Sequence, residues 1–74
     1  MKKSTHTLRY RIFRRKLVNA RKEADLTQAE AADKLDEHQS FVSKSESGER
    51  RVDIVELAEF AKIYGKPITY FINK

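Results

Sequence analysis

TQAEAADKLDEHQSFVSKSESG, residues 27–48, decides how this chain folds. Thr27-Gln28-Ala29-Glu30 is a capping box: the Thr27 hydroxyl can accept from the N–H three residues on, and Glu30 can reach back to the Thr27 N–H. The helix it opens sets Ala31, Ala32 and Leu35 on one stripe, and the apolar period then fails across Asp36-Glu37-His38. A second helix starts at Gln39 and ends at Gly48, a residue free to adopt positive φ. Phe41, Val42, Ser45 and Glu46 share one side of it, while Gln39, Ser40, Ser43, Lys44 and Ser47 share the other, across an arc of about 140°. Its serines make it a mediocre helix by propensity, so packing of Phe41 and Val42 must hold it in place.

The rest of the chain supplies what that pair packs against. Phe13, Leu17, Ala20 and Ala24 fall on one helical stripe with Tyr10 beside it, predicting a first helix from about Leu8 to Ala24. Arg21 sits on the edge of the stripe, whereas Arg11, Arg14, Arg15 and Lys22 are expected to point the other way. Leu8 and Ile12 form a small second apolar patch, explained by packing on the chain's own end or on a second subunit. Asp53 with Glu56 caps a fourth helix, in which Ile54, Leu57, Ala58, Ala61 and Tyr64 form a wide stripe joined by Phe60. Gly65 closes it, and Pro67 suits the first turn of a last short helix through Ile72. The expectation is a compact all-α domain of five helices over residues 1–74, with residues 1–7 as a basic arm.

A chain of 74 residues buries only about 60% of its unfolded surface, so one small core must stabilise it. Cysteine is absent, which removes disulfides, thiolate metal sites and a cysteine nucleophile. Nothing in the sequence is long and apolar enough to span a membrane, and no apolar h-region follows Met1-Lys2-Lys3, so a cytoplasmic protein is expected. The net charge of +5 is lopsided: residues 1–22 carry +9, leaving −4 for residues 23–74. A basic end suggests a polyanionic partner, most often nucleic acid; a solvated helix face that keeps the protein soluble fits the same charge.

A short turn between two small-residue helices is the helix-turn-helix pattern, here over residues 27–46, which sets the second helix across the first. The polar face of that second helix is suited to base edges. Gln can engage adenine through both its carbonyl and its amide, Lys can reach guanine acceptors, and Ser serves either role. The same residues on a helix also occur as plain solvated surface.

From about Leu17 to Phe71 the sequence resembles the phage-repressor-like (XRE, lambda-repressor-like) helix-turn-helix family. The resemblance rests on Leu26-Thr27-Gln28, Ala31-Ala32, Leu35-Asp36, Gln39-Ser40-Phe41-Val42-Ser43, Glu46 and Gly48, in that order and spacing. It implies a DNA-binding domain that places its second helix in the major groove. By this resemblance Gln39, Ser40 and Lys44, with Ser43 nearby, are expected to contact bases. Gln28 matches a phosphate-binding position, and Arg50 and Arg51 lie in a loop that touches the backbone. Arg21 and Glu46 match a structural ion pair that joins the first helix to the recognition helix. Four features depart from the family pattern. Ala31 replaces a larger aliphatic residue, so Phe41 or Phe13 must refill the core; Asp36 replaces the turn glycine, which Asp tolerates; Ser45 replaces an apolar or tyrosine anchor; Glu37 and Glu49 put negative charge beside the DNA face.

Two functions are in competition. One is a transcriptional regulator, a repressor-type homodimer that reads a palindromic double-stranded operator, with Ile68, Tyr70, Phe71 and Ile72 as interface candidates. The other is a protein-interaction module, such as an antitoxin or phage regulator acting mainly through a protein partner, motivated by Leu8, Ile12 and the C-terminal apolar residues. Catalysis is not expected: His6 and His38 are isolated, there is no glycine-rich phosphate loop, and the carboxylates are scattered. No metal or cofactor is expected either. His38 is read as a cap-like or solvated residue beside the recognition helix.

Overall fold

The computed structural model describes residues 7–72. Five helices run in order: α1 (Leu8–Glu23), α2 (Gln28–Leu35), α3 (Gln39–Ser47), α4 (Ile54–Tyr64) and α5 (Ile68–Ile72). Thr7 is the N-cap of α1, its hydroxyl accepting from the Tyr10 N–H at 3.2 Å, so the helix claims one residue of the expected arm. Residues 1–6 of that arm lie outside the described residues.

Local chemistry closes several of the helix ends. The capping box at α2 is complete: the Glu30 N–H donates to Thr27 Oγ1 at 3.1 Å and the Thr27 N–H to Glu30 Oε1 at 2.9 Å. Asp53 and Glu56 repeat the arrangement at α4, with bonds of 2.8 and 3.0 Å. Asp36 turns the chain between α2 and α3 in the left-handed conformation, φ 58° and ψ 44°, and the following Glu37 N–H returns to Ala32 O at 2.9 Å. That bond satisfies a carbonyl the helix end would otherwise leave open. Asp25 takes the same conformation after α1, with φ 61°, which the sequence reading did not anticipate. Asp is one of the few residues with a Cβ that visits this region readily, because its short side chain bonds locally.

Leu17, Ala20, Ala31, Ala32, Val42, Leu57, Phe60, Ala61, Tyr64 and Phe71 form one buried core. Ala31 and Ala32 allow α2 and α3 to pack closely, and aromatic volume from α4 fills the remaining space. Phe60 is fully buried, with the Phe41 and Tyr64 rings each 5.8 Å away. The residues expected to refill the core, Phe41 and Phe13, are only half-buried at its edge; the central aromatic is Phe60. On α4 the stripe is narrower than its periodicity suggested. Ile54, at 64% exposure, and Ala58 face outward, whereas Leu57 and Phe60 are buried. Phe71 is the one α5 side chain fully in the core, and packs edge-on against Tyr70 at 5.0 Å.

Candidate nucleic-acid interface

The site is α3 and the groups that fix its angle. Its inner face carries Val42, Ser45 and Glu46, all buried. Glu46 is the centre of a polar cluster. Arg21 donates to it twice, Nε to Oε2 at 2.7 Å and Nη2 to Oε1 at 3.2 Å, and Gln28 Nε2 donates to Oε1 at 2.9 Å. Arg21 Nη1 also donates to the Leu26 carbonyl at 2.9 Å, so one guanidinium ties α1 to the start of α2 and to α3. Side-chain exposure is 12% for Arg21 and 6% for Glu46, and at that burial a charge must be both paired and hydrogen-bonded to be tolerated. The hydrogen bonds Arg21 donates to Glu46 hold its guanidinium above its ordinary pKa against the opposing effect of burial. A pair of this kind gives little net stability over apolar residues of the same shape, but it fixes the relative orientation of the elements it joins.

Arg14 belongs to the same arrangement, contrary to the outward direction expected from the helical wheel. Its Nη1 donates to the Glu46 carbonyl at 3.3 Å, and its guanidinium lies against Gly48, where a Cβ would stand 3.1 Å from it. A cation there faces the open carbonyls and negative dipole end of α3. The wheel misassigned it because a long side chain leaving one edge of α1 can bend back over a neighbouring helix end. The available signal was Gly48, whose missing side chain leaves room for it.

A second cluster holds α3 to α4. Arg50 Nη1 and Nη2 donate to Glu56 Oε1 and Oε2 at 3.1 and 2.9 Å, a bidentate pair. The guanidinium lies over the Phe41 ring at 4.3 Å and donates to Ser45 Oγ at 3.4 Å, while Ser45 donates to the Phe41 carbonyl at 2.7 Å. Hydrogen bonding to Arg50 holds the Glu56 carboxyl below its ordinary range. Ser45, expected to loosen the helix, is fully buried and bonded at both ends. Tyr64 is buried beside the Arg21–Glu46 pair, and desolvation pushes its hydroxyl pKa well up.

The outer face of α3 is different in kind. Gln39, Ser40 and Lys44 are exposed and make no side-chain bond among the described residues. Ser43 is half-buried, its hydroxyl donating back to the Ser40 carbonyl at 3.3 Å, and Ser47 does the same to Lys44. His38 is the N-cap by position, with no side-chain capping bond. Gln28 is half-buried and its amide nitrogen is engaged with Glu46, which leaves its backbone N–H at the start of α2. Arg51 is exposed with its guanidinium 5.0 Å from the Tyr10 ring centre, and the Tyr10 hydroxyl accepts from the Val52 N–H at 3.0 Å. Of the two loop arginines, then, Arg50 is bound into the fold and Arg51 faces outward.

Among the described residues no helix is long and apolar enough to cross a membrane. Residues 17–71 match the helix-turn-helix family. An XRE-family like protein from Pseudomonas syringae pv. tomato str. DC3000 superposes with a TM-score of 0.83 at 39% sequence identity, over 90% of this chain and 82% of that one. No curated protein matches the chain. A buried arginine–glutamate hub that sets the angle of a short polar-faced helix, together with these matches, identifies the chain as a member of the XRE family of DNA-binding helix-turn-helix proteins.

Proposed function

We propose that this protein is a sequence-specific transcriptional regulator of repressor type that binds double-stranded DNA as a homodimer in the cytoplasm. One observation carries the reading: among the described residues, Gln39, Ser40 and Lys44 stand exposed with unbonded side chains on a helix whose other face is fixed by buried polar contacts. An α-helix fits the major groove, and these side chains offer the donors and acceptors that base edges require. Gln39 and Ser40 occupy the start of α3, the part of a recognition helix that reaches the bases in this docking mode. Lys44 and the lone pairs of Ser43 extend the face by one turn.

Arg51 and the N-terminus of α2 at Gln28 are suited to phosphates, since free N–H groups at a helix start favour anions. Arg50 contributes to the same backbone contact in this reading, with its pairing to Glu56 limiting what it can donate. Two-fold symmetry would set two copies of α3 about 34 Å apart in successive major grooves of a near-palindromic site. Phe71 belongs to the monomer's own core, so Ile72 and the half-exposed Ile68 and Tyr70 are what α5 offers to a dimer.

Selection from a randomised duplex pool with the purified protein at near-physiological salt tests this. Enrichment of an inverted repeat is expected. Recovery of an unenriched pool would reduce any binding to phosphate attraction and remove the operator-reading role.

A further inference from the structure

The face of α1 that points away from the bundle combines exposed aliphatic and basic side chains. Leu8, Arg11, Ile12, Arg15, Asn19 and Lys22 are all exposed and fall within about 100° of arc. Leu8 is 68% and Ile12 45% exposed, a pair of large aliphatic side chains one helical turn apart. Among the described residues, Arg11, Arg15 and Lys22 make no ion pair or hydrogen bond through their side chains, in contrast with Arg14 and Arg21, which are committed to Glu46. No acid lies within the arc, and the nearest on α1, Glu23, is paired with Lys66 at 2.6 Å.

We propose that this face is a docking surface for an acidic protein segment that carries aliphatic side chains between its carboxylates. Three physical arguments select that occupant. A second copy in a two-fold contact would set the same patch against itself and bring Arg11, Arg15 and Lys22 against their own equivalents, so like charges oppose it. Phosphate backbone would engage the cations but has nothing to bury Leu8 and Ile12 against. A bilayer surface takes up a long apolar helix face, whereas this one presents two aliphatic side chains. An acidic amphipathic segment satisfies both halves: its carboxylates meet the cations, and its apolar side chains remove Leu8 and Ile12 from water. The surface does not rest on the DNA-reading role of α3 and stands or falls separately from it.

The test titrates the full-length protein into two fluorescein-labelled peptides of equal length and net charge, measuring anisotropy. One peptide contains only Glu and Ala; the other has Leu at alternating third and fourth positions among Glu. The leucine peptide should bind roughly tenfold more tightly, the difference one buried aliphatic side chain makes. A Leu8→Ser/Ile12→Ser variant should lose that advantage while retaining its helical signal, its melting transition and its selected DNA motif. An Arg11→Glu/Arg15→Glu variant should lose both peptides. Failure of the leucine peptide to bind, equal binding of the two peptides, or a leucine advantage that survives in the double variant would each overturn the proposal. So would a Leu8→Ser/Ile12→Ser variant that loses only its binding to phosphatidylserine vesicles, which would assign the face to a membrane, or only to random-sequence duplex, which would assign it to nucleic acid.

Discussion

The two ends of α3 are built on opposite principles. At its C-terminal end Glu46 receives Arg21 and Gln28 on its carboxylate and Arg14 on its carbonyl, Gly48 makes room for the Arg14 guanidinium, and Arg50 braces Ser45 against Glu56. At its N-terminal end His38 provides no side-chain cap, and Gln39 and Ser40 reach into solvent. A short helix of modest propensity is thus fixed from one end, and the other stands exposed. The contrast separates two demands that compete in one residue: a donor or acceptor used inside the fold is no longer open to an outside partner.

Substitutions at the two ends should therefore fail in different ways. Glu46→Ala leaves the Arg21 guanidinium buried without its partner and should lower unfolding stability by about 3 kcal/mol, read by urea titration. Lys44→Ala and Gln39→Ala should leave stability within about 0.5 kcal/mol of the parent. Each should instead cost about 1–3 kcal/mol of discrimination between the selected site and a site altered at one base pair, read by competition binding. A Lys44 variant that kept full discrimination would break the assignment of the outer face of α3 to bases; a Gln39 variant that unfolded would break the contrast itself. Gly48→Ala lies between the two. Its φ of 87° and the guanidinium 3.1 Å from the new methyl should cost about 1–2 kcal/mol, by the same urea titration.

The smallest expected effect concerns the brace to α4 and appears as a pH dependence. Arg50 depresses the Glu56 carboxyl below its ordinary 4.5, so the folded state binds that proton less readily than the unfolded chain. The stabilisation is complete above about pH 4.5 and is lost as pH falls through the depressed folded value. Glu56→Gln keeps the geometry of the capping box and removes the charge. It should cost at most about 1 kcal/mol at neutral pH, given the partial exposure of the pair, and the difference should shrink below pH 4.5 in thermal melts.

The folding signals of α2 and α4 were legible because they are local. Thr27 with Glu30 and Asp53 with Glu56 sit three residues apart and specify a helix start whatever surrounds them. Asp36 as a left-handed turn residue is equally local, although Asp25 in the same conformation passed unnoticed because no motif drew attention to it. The Arg21–Glu46 contact links residues 25 positions apart, and it was anticipated through the family resemblance together with the place of each residue at the edge of its stripe. Arg14 and Ile54 depart from their expected directions for a shared reason. A helical wheel gives the direction in which a side chain leaves its own helix, but not which neighbour it then meets.

The sequence by itself determined the number and order of the helices, the turn between α2 and α3, and the polar composition of the outer face of α3, because capping, left-handed turns and helical period act over a few residues. Which cations are engaged was settled by how the helices pack. Among the described residues, Arg14, Arg21 and Arg50 are engaged by Glu46 and Glu56, whereas Arg11, Arg15 and Lys22 are not, and nothing local distinguishes the two groups. The physical reason is that an ion pair depends on which helix ends the packed core brings together, and that packing is set by the whole fold.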